Sequence, residues 1–179
     1  MAVTSADVVR RLTVPGAGSG NSAAQADPNA SLGEYVSTTQ LVSDQLHNLF
    51  DVVSGDENAA GDVEYRAIAV VNTAAQTWFG VVAWVGAQDA GGADYAIGLD
   101  PAGVVAIGSA SAQGEVVADE GTAPAGVSFS APADKASGLT IGDMAAGTAQ
   151  LIWVRRTALA GGAVDDDSVT INYSGDTAA

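Results

Sequence analysis

Cysteine is absent from the 179-residue sequence. That excludes disulfide stapling, a thiol nucleophile and thiolate-bound zinc together. Cations are nearly as scarce, with 6 Lys and Arg against 21 Asp and Glu and a formal net charge of −15. Such a surface repels phosphates, so nucleic acid is not an expected partner. The single histidine, His47, leaves no material for a histidine-rich metal site or more than one Ser-His-Asp arrangement. Long apolar runs are missing too. No stretch approaches the roughly 20 residues that a membrane-spanning helix needs, so no membrane association is expected. The opening MAVTSADVVRRLTV has its apolar residues interrupted by Asp7, Arg10 and Arg11, unlike a secretory leader. A soluble product made in the cytoplasm is the expectation.

What the chain does contain is Ala, Val and 22 Gly, small and β-branched residues punctuated by turn formers. Alternation of period two marks strands at residues 36–42, Val63–Asn72, 77–85, Asp94–Leu99, 104–108, 115–118, 126–130, 139–141, Thr148–Thr157 and 168–173, with 45–53 irregular or a further strand. Residues 54–62 (SGDENAAGD) and 161–167 read as acidic turns. Short strands separated by turn clusters predict an all-β fold, an immunoglobulin-like antiparallel β-sandwich over residues 34–179. Residues 1–33 read as an extended N-terminal arm. The stretch 15–33 is rich in Gly, Ser, Ala, Asn and Pro and cannot bury enough apolar surface alone. Val8, Val9, Leu12 and Val14 offer a short anchor, as one helical turn or a strand.

Candidate sites are few. Asp51, Asp56, Glu57, Asn58 and Asp62 bracket one turn, and Asp165, Asp166 and Asp167 another; clustered oxygens suit Ca2+, although neither follows the twelve-residue calcium-loop pattern. A solvated loop is the stronger reading, and no cofactor is expected. GAGSGN (16–21) lacks the Lys and the strand–helix setting of a phosphate loop. His47 reads as structural. Arg155 and Arg156 close a strand and must point to opposite faces, each in want of a carboxylate within the chain or across a subunit contact. Together with Arg10, Arg11, Leu12, Val14, Pro15 and Pro28 of the arm they are the interface candidates. Trp84 and Trp153 sit in strong strand patterns, whereas Trp78, Trp84 and Tyr95 are the residues that a carbohydrate-stacking face would use.

Four segments carry a resemblance: DPNASLGEYVSTTQL (27–41), NLFDVVSGDENAAGDVEYRAIAVVN (48–72), EGTAPAGVSFSAP (120–132) and LTIGDMAAGTAQLIWVRRT (139–157). They resemble a group of tailed-bacteriophage virion structural proteins, which run from a DPNASLGG-like segment through NLFDDV and GDxEYRCIYVxN to an IGDLxxGxxxxVWIRR strand and a short acidic tail. The likeness covers most of the chain from about residue 27, with 86–118 poorly matched. Glu34 and Ala67 stand where the group's pattern has Gly and Cys. The motifs have no catalytic logic, so the resemblance implies a place in a particle and no enzymatic activity. It implies a head decoration, or cement, protein on the outer surface of the virion head, bound to the major capsid protein or to copies of itself. The alternative from another class is a carbohydrate- or host-surface-binding module of a tail or spike.

Overall fold

The computed structural model describes residues 2–16, 23–108, 111–161 and 167–177. Among the described residues nine strands follow one another: β1 (Val8–Val14), β2 (Tyr35–Gln40), β3 (Val63–Asn72), β4 (Trp78–Gln88), β5 (Asp94–Leu99), β6 (Val105–Ala106), β7 (Leu139–Met144), β8 (Thr148–Thr157) and β9 (Val169–Thr177). A short α-helix, α1 (Gly55–Ala60), precedes β3. The larger sheet has the order β2-β1-β3-β8-β5, with β6 also on β8, and the smaller has the order β7-β4-β9. All of the pairings are antiparallel. The all-β expectation holds, as two antiparallel sheets that share one core.

The period-two pattern decides which face is which. Leu12, Ile68, Val70, Ile97, Ile152 and Val154 of the large sheet pack in one cluster with Trp78, Val81, Ala83, Val85 and Met144 of the small one. The alternate residues, Ala67, Ala69, Val71, Leu151 and Trp153, point the other way and are buried as well. Their cover is not a sheet. Leu32, Val117, Val127 and Phe129, from the segments before β2 and between β6 and β7, close over Ala67 and Trp153. The apolar run of β3 and β8 is thus continuous because both faces are covered.

The largest difference from the sequence reading is at the N-terminus. Val8–Val14 is not part of a free arm. It is an interior strand, paired with β3 from Val8↔Asn72 to Leu12↔Ile68 and with β2 at Thr13↔Val36 and Val14↔Tyr35. Residues 23–34 are bound just as firmly. The Ser31 hydroxyl donates to the Ala67 carbonyl (2.6 Å) and accepts from the Thr13 amide (2.8 Å), while the Ala67 amide donates to the Ser31 carbonyl (2.7 Å). The Gln25 amide nitrogen reaches the carbonyls of Thr13 (3.2 Å) and Ala30 (3.0 Å). Short polar side chains thereby do what the segment's composition cannot do through apolar burial, and they satisfy its backbone.

Smaller differences have local causes. Residues 54–62 hold a helix, because Ser54 and Glu57 form a reciprocal capping box and Gly61 ends it in the left-handed region at φ 69°. Residues 45–53 stay irregular, and 115–118 and 126–130 contribute only isolated bridges, Gly33↔Val116 and Ile97↔Ser130. The run at 104–108 shortens to Val105–Ala106, and β4, β7 and β9 extend beyond their expected ends. The GAGSGN stretch, apart from Gly16, and Asp165 and Asp166 lie outside the described residues.

Candidate functional site

The densest concentration of charge lies at one end of the large sheet, on the face that looks toward the small sheet. Antiparallel register places Glu64 of β3 and Tyr95 of β5 on either side of Arg156 of β8. Arg156 Nε donates to Glu64 Oε2 (2.7 Å), its Nη2 makes a second contact with the same oxygen, and Nη1 donates to the carbonyl of Asp51. Asp51 Oδ1 also accepts from Nη2 at 3.3 Å. Two residues along β3, Arg66 is completely buried, donates to Glu120 Oε2 (2.7 Å) and comes within 3.8 Å of Glu64. The Phe50 ring lies under both cations, 4.8 Å from the Arg156 guanidinium carbon and 5.4 Å from that of Arg66.

This cluster is a clamp. It ties the loop before α1, through Phe50 and Asp51, and the loop carrying Glu120 to the ends of β3 and β8. Burial raises the Glu64 carboxyl above its ordinary range, and the charges of Arg156 and then Arg66 work against that rise. Burial likewise raises Tyr95, with help from the Asp167 carboxylate, to about 12, so its phenol stays protonated and donates to Asp167 Oδ2 at 3.3 Å. A depression of about 650 Å³ beside the clamp is lined by Glu57, Asp62, Glu64, Asp119 and Glu120 with Gly61, Val63 and Gly121. Its lining is dominated by carboxylates, of which buried Glu64 and exposed Glu120 are engaged by arginines.

Arg156 is therefore an internal residue, and the structure corrects its place among the interface candidates; the pairing across β3 and β8 consumes its charge. Leu12 is corrected for the same reason, being 3% exposed in the core. Arg155 points to the opposite face and lies half-buried over Phe129, 5.6 Å from the ring centroid. Arg10, Arg11, Val14, Pro15 and Pro28 are each partly exposed but scattered: the first three lie along β1, Pro15 follows it, and Pro28 opens a short 3₁₀ turn (Pro28–Ala30) capped by Asp27.

The calcium candidates disperse. Asp51 is held by Arg156, Glu57 caps Ser54, and Asp56 and Asp62 are exposed at opposite ends of α1. Among the described residues no group of three carboxylates or imidazoles is arranged to hold a metal. His47 is exposed in the loop before α1, at φ 55°. The aromatics proposed for stacking do not form a platform: Trp78 and Tyr95 are 5% and 6% exposed, leaving Trp84 alone and half-buried. Among the described residues no helix is long and apolar enough to cross a membrane.

Two features escape sequence reading. The clamp needs strand register, and its only visible signal is a Glu-x-Arg step at the start of an otherwise apolar face of β3. The other is Glu34, which adopts φ 69° just before β2 while its amide donates to Glu115 and its carbonyl accepts from Gln113. Comparison with protein-family models, curated proteins and solved structures finds no match to this chain.

Proposed function

We propose that this is a virion structural protein of a tailed bacteriophage, a decoration protein that binds the outside of the head and stabilises it. The observation that carries the reading is where the four resembling segments meet. Asn29 from the first, Phe50, Asp51, Glu64 and Arg66 from the second, Glu120 from the third and Arg156 from the fourth all belong to the one clamp. Segments that are far apart in sequence and share a pattern with one protein group thus form a single physical unit, as expected if the pattern encodes a common fold. Glu34 supports the same reading. The group's pattern has Gly there, and the left-handed backbone at this position is the one that Gly accepts without strain.

Under this proposal the partners are the major capsid protein and neighbouring copies, and an immunoglobulin-like kinship of the sandwich belongs to the same reading. The N-terminal residues act from within the domain, since their strand and cover are built into it, and docking falls to the exposed surface of the sandwich. An acidic exterior keeps a heavily decorated particle soluble. The stacking alternative for a tail or spike module loses its support with the burial of Trp78 and Tyr95.

The test is to mix the purified protein with heads that lack it and to image the particles. Regular density on the outer face of the head, and greater resistance of the decorated heads to heat, is the expected result. Binding confined to tails, or no co-sedimentation with heads, refutes it.

A further inference from the structure

Every sheet has two edges, and an unpaired edge invites another strand. Here three of the four are dealt with. The outer side of β2 is covered by residues 23–25, with the Thr38 amide donating to the Ala23 carbonyl (2.8 Å) and the Gln25 amide to the Thr39 hydroxyl (2.9 Å). The outer side of β5 is bridged by Ser130, which exchanges two backbone bonds with Ile97 (2.8 and 3.0 Å). β7 is six residues long and is broken by Gly142 at φ 91°. β9 is different. It runs for nine residues as the last strand of the small sheet, and among the described residues its backbone bonds go only to β4. It contains no Pro, Lys or Arg, the residues that usually guard an edge.

A groove of about 420 Å³ lies alongside this edge. Ile171 to Gly175 form one wall, Val3, Thr4, Ser5, Val8 and Arg10 form the other, and Trp78 also contributes to the lining. Five residues of wall extend roughly 13 Å at the usual rise of a strand. The lining itself holds one cation and no carboxylate, with Asp7 bound to the Thr4 hydroxyl and amide and Asp176 next to Gly175 as the neighbouring acids. Arg10 lines the groove, and the Lys135 ammonium donates to the Ser174 hydroxyl (3.1 Å) on the other face of β9. Among the described residues neither cation has a carboxylate within 4.0 Å, in a chain that has 21 acidic residues to offer. The Tyr173 hydroxyl, buried where the ring packs against the core behind this wall, has no hydrogen-bond partner among them.

We infer that the outer edge of β9 receives an extended, carboxylate-bearing segment of a partner polypeptide, which adds to the small sheet as a fourth strand. Backbone bonds to alternate residues of β9 supply the docking, and side chains on the two faces of the added strand bring carboxylates to Arg10 on one side and Lys135 on the other. The net charge of −15 does not forbid this, because charges beyond the screening length of about 8 Å count for little at physiological salt. Among the described residues nothing pairs with this edge, whatever particle or partner the protein serves.

The test uses the full chain and a labelled peptide, Thr-Asp-Val-Val-Asp-Val-Thr, whose two Asp fall on opposite faces of an extended strand, with a counterpart in which both Asp are Asn. Fluorescence anisotropy is expected to show saturable binding of the acidic peptide and about fivefold weaker binding of the neutral one, the size of a few exposed ion pairs. Arg10→Gln and Lys135→Gln are each expected to weaken the acidic peptide by about threefold, and raising salt from about 0.02 to 0.3 M by about tenfold. Lys135→Gln changes an exposed side chain outside the core, so the comparison survives even if Arg10→Gln disturbs β1. Hydrogen exchange should slow at alternate amides of β9 when the acidic peptide is present. Equal binding of the two peptides, no binding at about 1 mM peptide, protection at another strand, or a stable homodimer that fills the β9 edge would each overturn the inference.

Discussion

The two faces of the large sheet are buried by different means. Toward the small sheet, Leu12, Ile68, Val70, Ile97, Ile152 and Val154 meet Trp78, Val81, Ala83, Val85 and Met144, and contact is almost wholly apolar until the Arg156 clamp at one end. On the other face, loops lie over Ala67, Ala69, Val71, Leu151 and Trp153, and buried polar side chains hold them there. Asp100 is 2% exposed and accepts from the Trp153 indole (2.9 Å), the Glu115 amide (2.9 Å) and the Ala102 amide (3.0 Å). Thr13 and Ser31 do the same for the segment ahead of β2. One face is stabilised by area, at about 25 cal/mol per Å² of apolar surface. The other needs partners of the right geometry, because a buried polar group left unpaired costs about 1–3 kcal/mol.

Deleting residues 2–33 strikes both faces at once and has the largest expected effect. It removes β1 from between β2 and β3 and Leu12 from the core, and it takes Thr13 and Ser31 from the opposite side. The loss exceeds the roughly 5–15 kcal/mol by which a domain of this kind is stable. The truncated chain is expected to show no cooperative thermal transition and no fixed near-ultraviolet dichroism. A truncated protein that melts cooperatively would mean that the N-terminal strand is dispensable and that the two faces are held independently of it.

Arg156→Ala tests the polar end of the apolar face. Removal leaves Glu64 buried beside an incomplete partner and frees the Phe50–Asp51 loop, at an expected cost of about 3–5 kcal/mol in urea unfolding. The pair Arg156→Met with Glu64→Met should cost clearly less than the single change, since no lone charge remains. The pH dependence has a sign of its own. Burial raises Glu64 in the folded protein above the ordinary 4.5 that it keeps when unfolded. Between those values the folded state binds more protons, so this group adds stability as pH falls through its folded value and loses it as pH rises. Glu64→Gln should abolish that component. Asp7, Glu57 and Asp134 act oppositely, since hydrogen bonds from Thr4, Ser54 and Ser137 lower them and their contribution fades as pH falls through those lowered values. Unfolding free energies of the two proteins across mildly acid pH separate the terms.

Asp100→Ala is the matching test on the loop-covered face. Three donors lose their acceptor, two of them to one oxygen, and an expected loss of about 3 kcal/mol follows. Amide exchange should quicken at residues 111–117 while β4 and β9 stay protected. A uniform loss of protection would show that the cover and the sandwich unfold as one unit.

The contrast between the faces also explains what could be read in the sequence. β3, β5 and β8 occupy the residues that the sequence indicates, because each is an apolar run of strand length bounded by turn formers. The cover obeys no period. Ser31, Thr13, Gln25 and Asp100 are ordinary turn residues until the fold brings carbonyls and amides to them, so residues 15–33 read as unable to order. The clamp leaves only a Glu64-x-Arg66 step at the start of an apolar run, and Phe50, Asp51, Glu120 and Arg156 join it only through register and loop closure. Arg156 reads first as pairing within the chain, with a subunit contact as the alternative, and the Glu64↔Arg156 register supplies the internal partner.

Helix α1 buries no residue in either face and so sets the lower end of the scale. Its signal was present in the sequence as Ser54-x-x-Glu57, yet the acidic composition of 54–62 favoured a turn. In the structure the Ser54 hydroxyl accepts from the Glu57 amide (3.2 Å) while the Glu57 carboxylate accepts from the Ser54 amide. Ser54→Ala should cost about 1 kcal/mol, the ordinary worth of an N-cap, if α1 unfolds with the rest of the domain. The lowering of the Glu57 carboxyl, which depends first on the Ser54 backbone and then on its hydroxyl, should diminish with it. Should the substitution leave global stability unchanged while exchange at residues 57–61 quickens, α1 is a local element that opens on its own. The Asp51 contact to Arg156, which precedes the helix by only a few residues, would then be the point at which cooperativity begins.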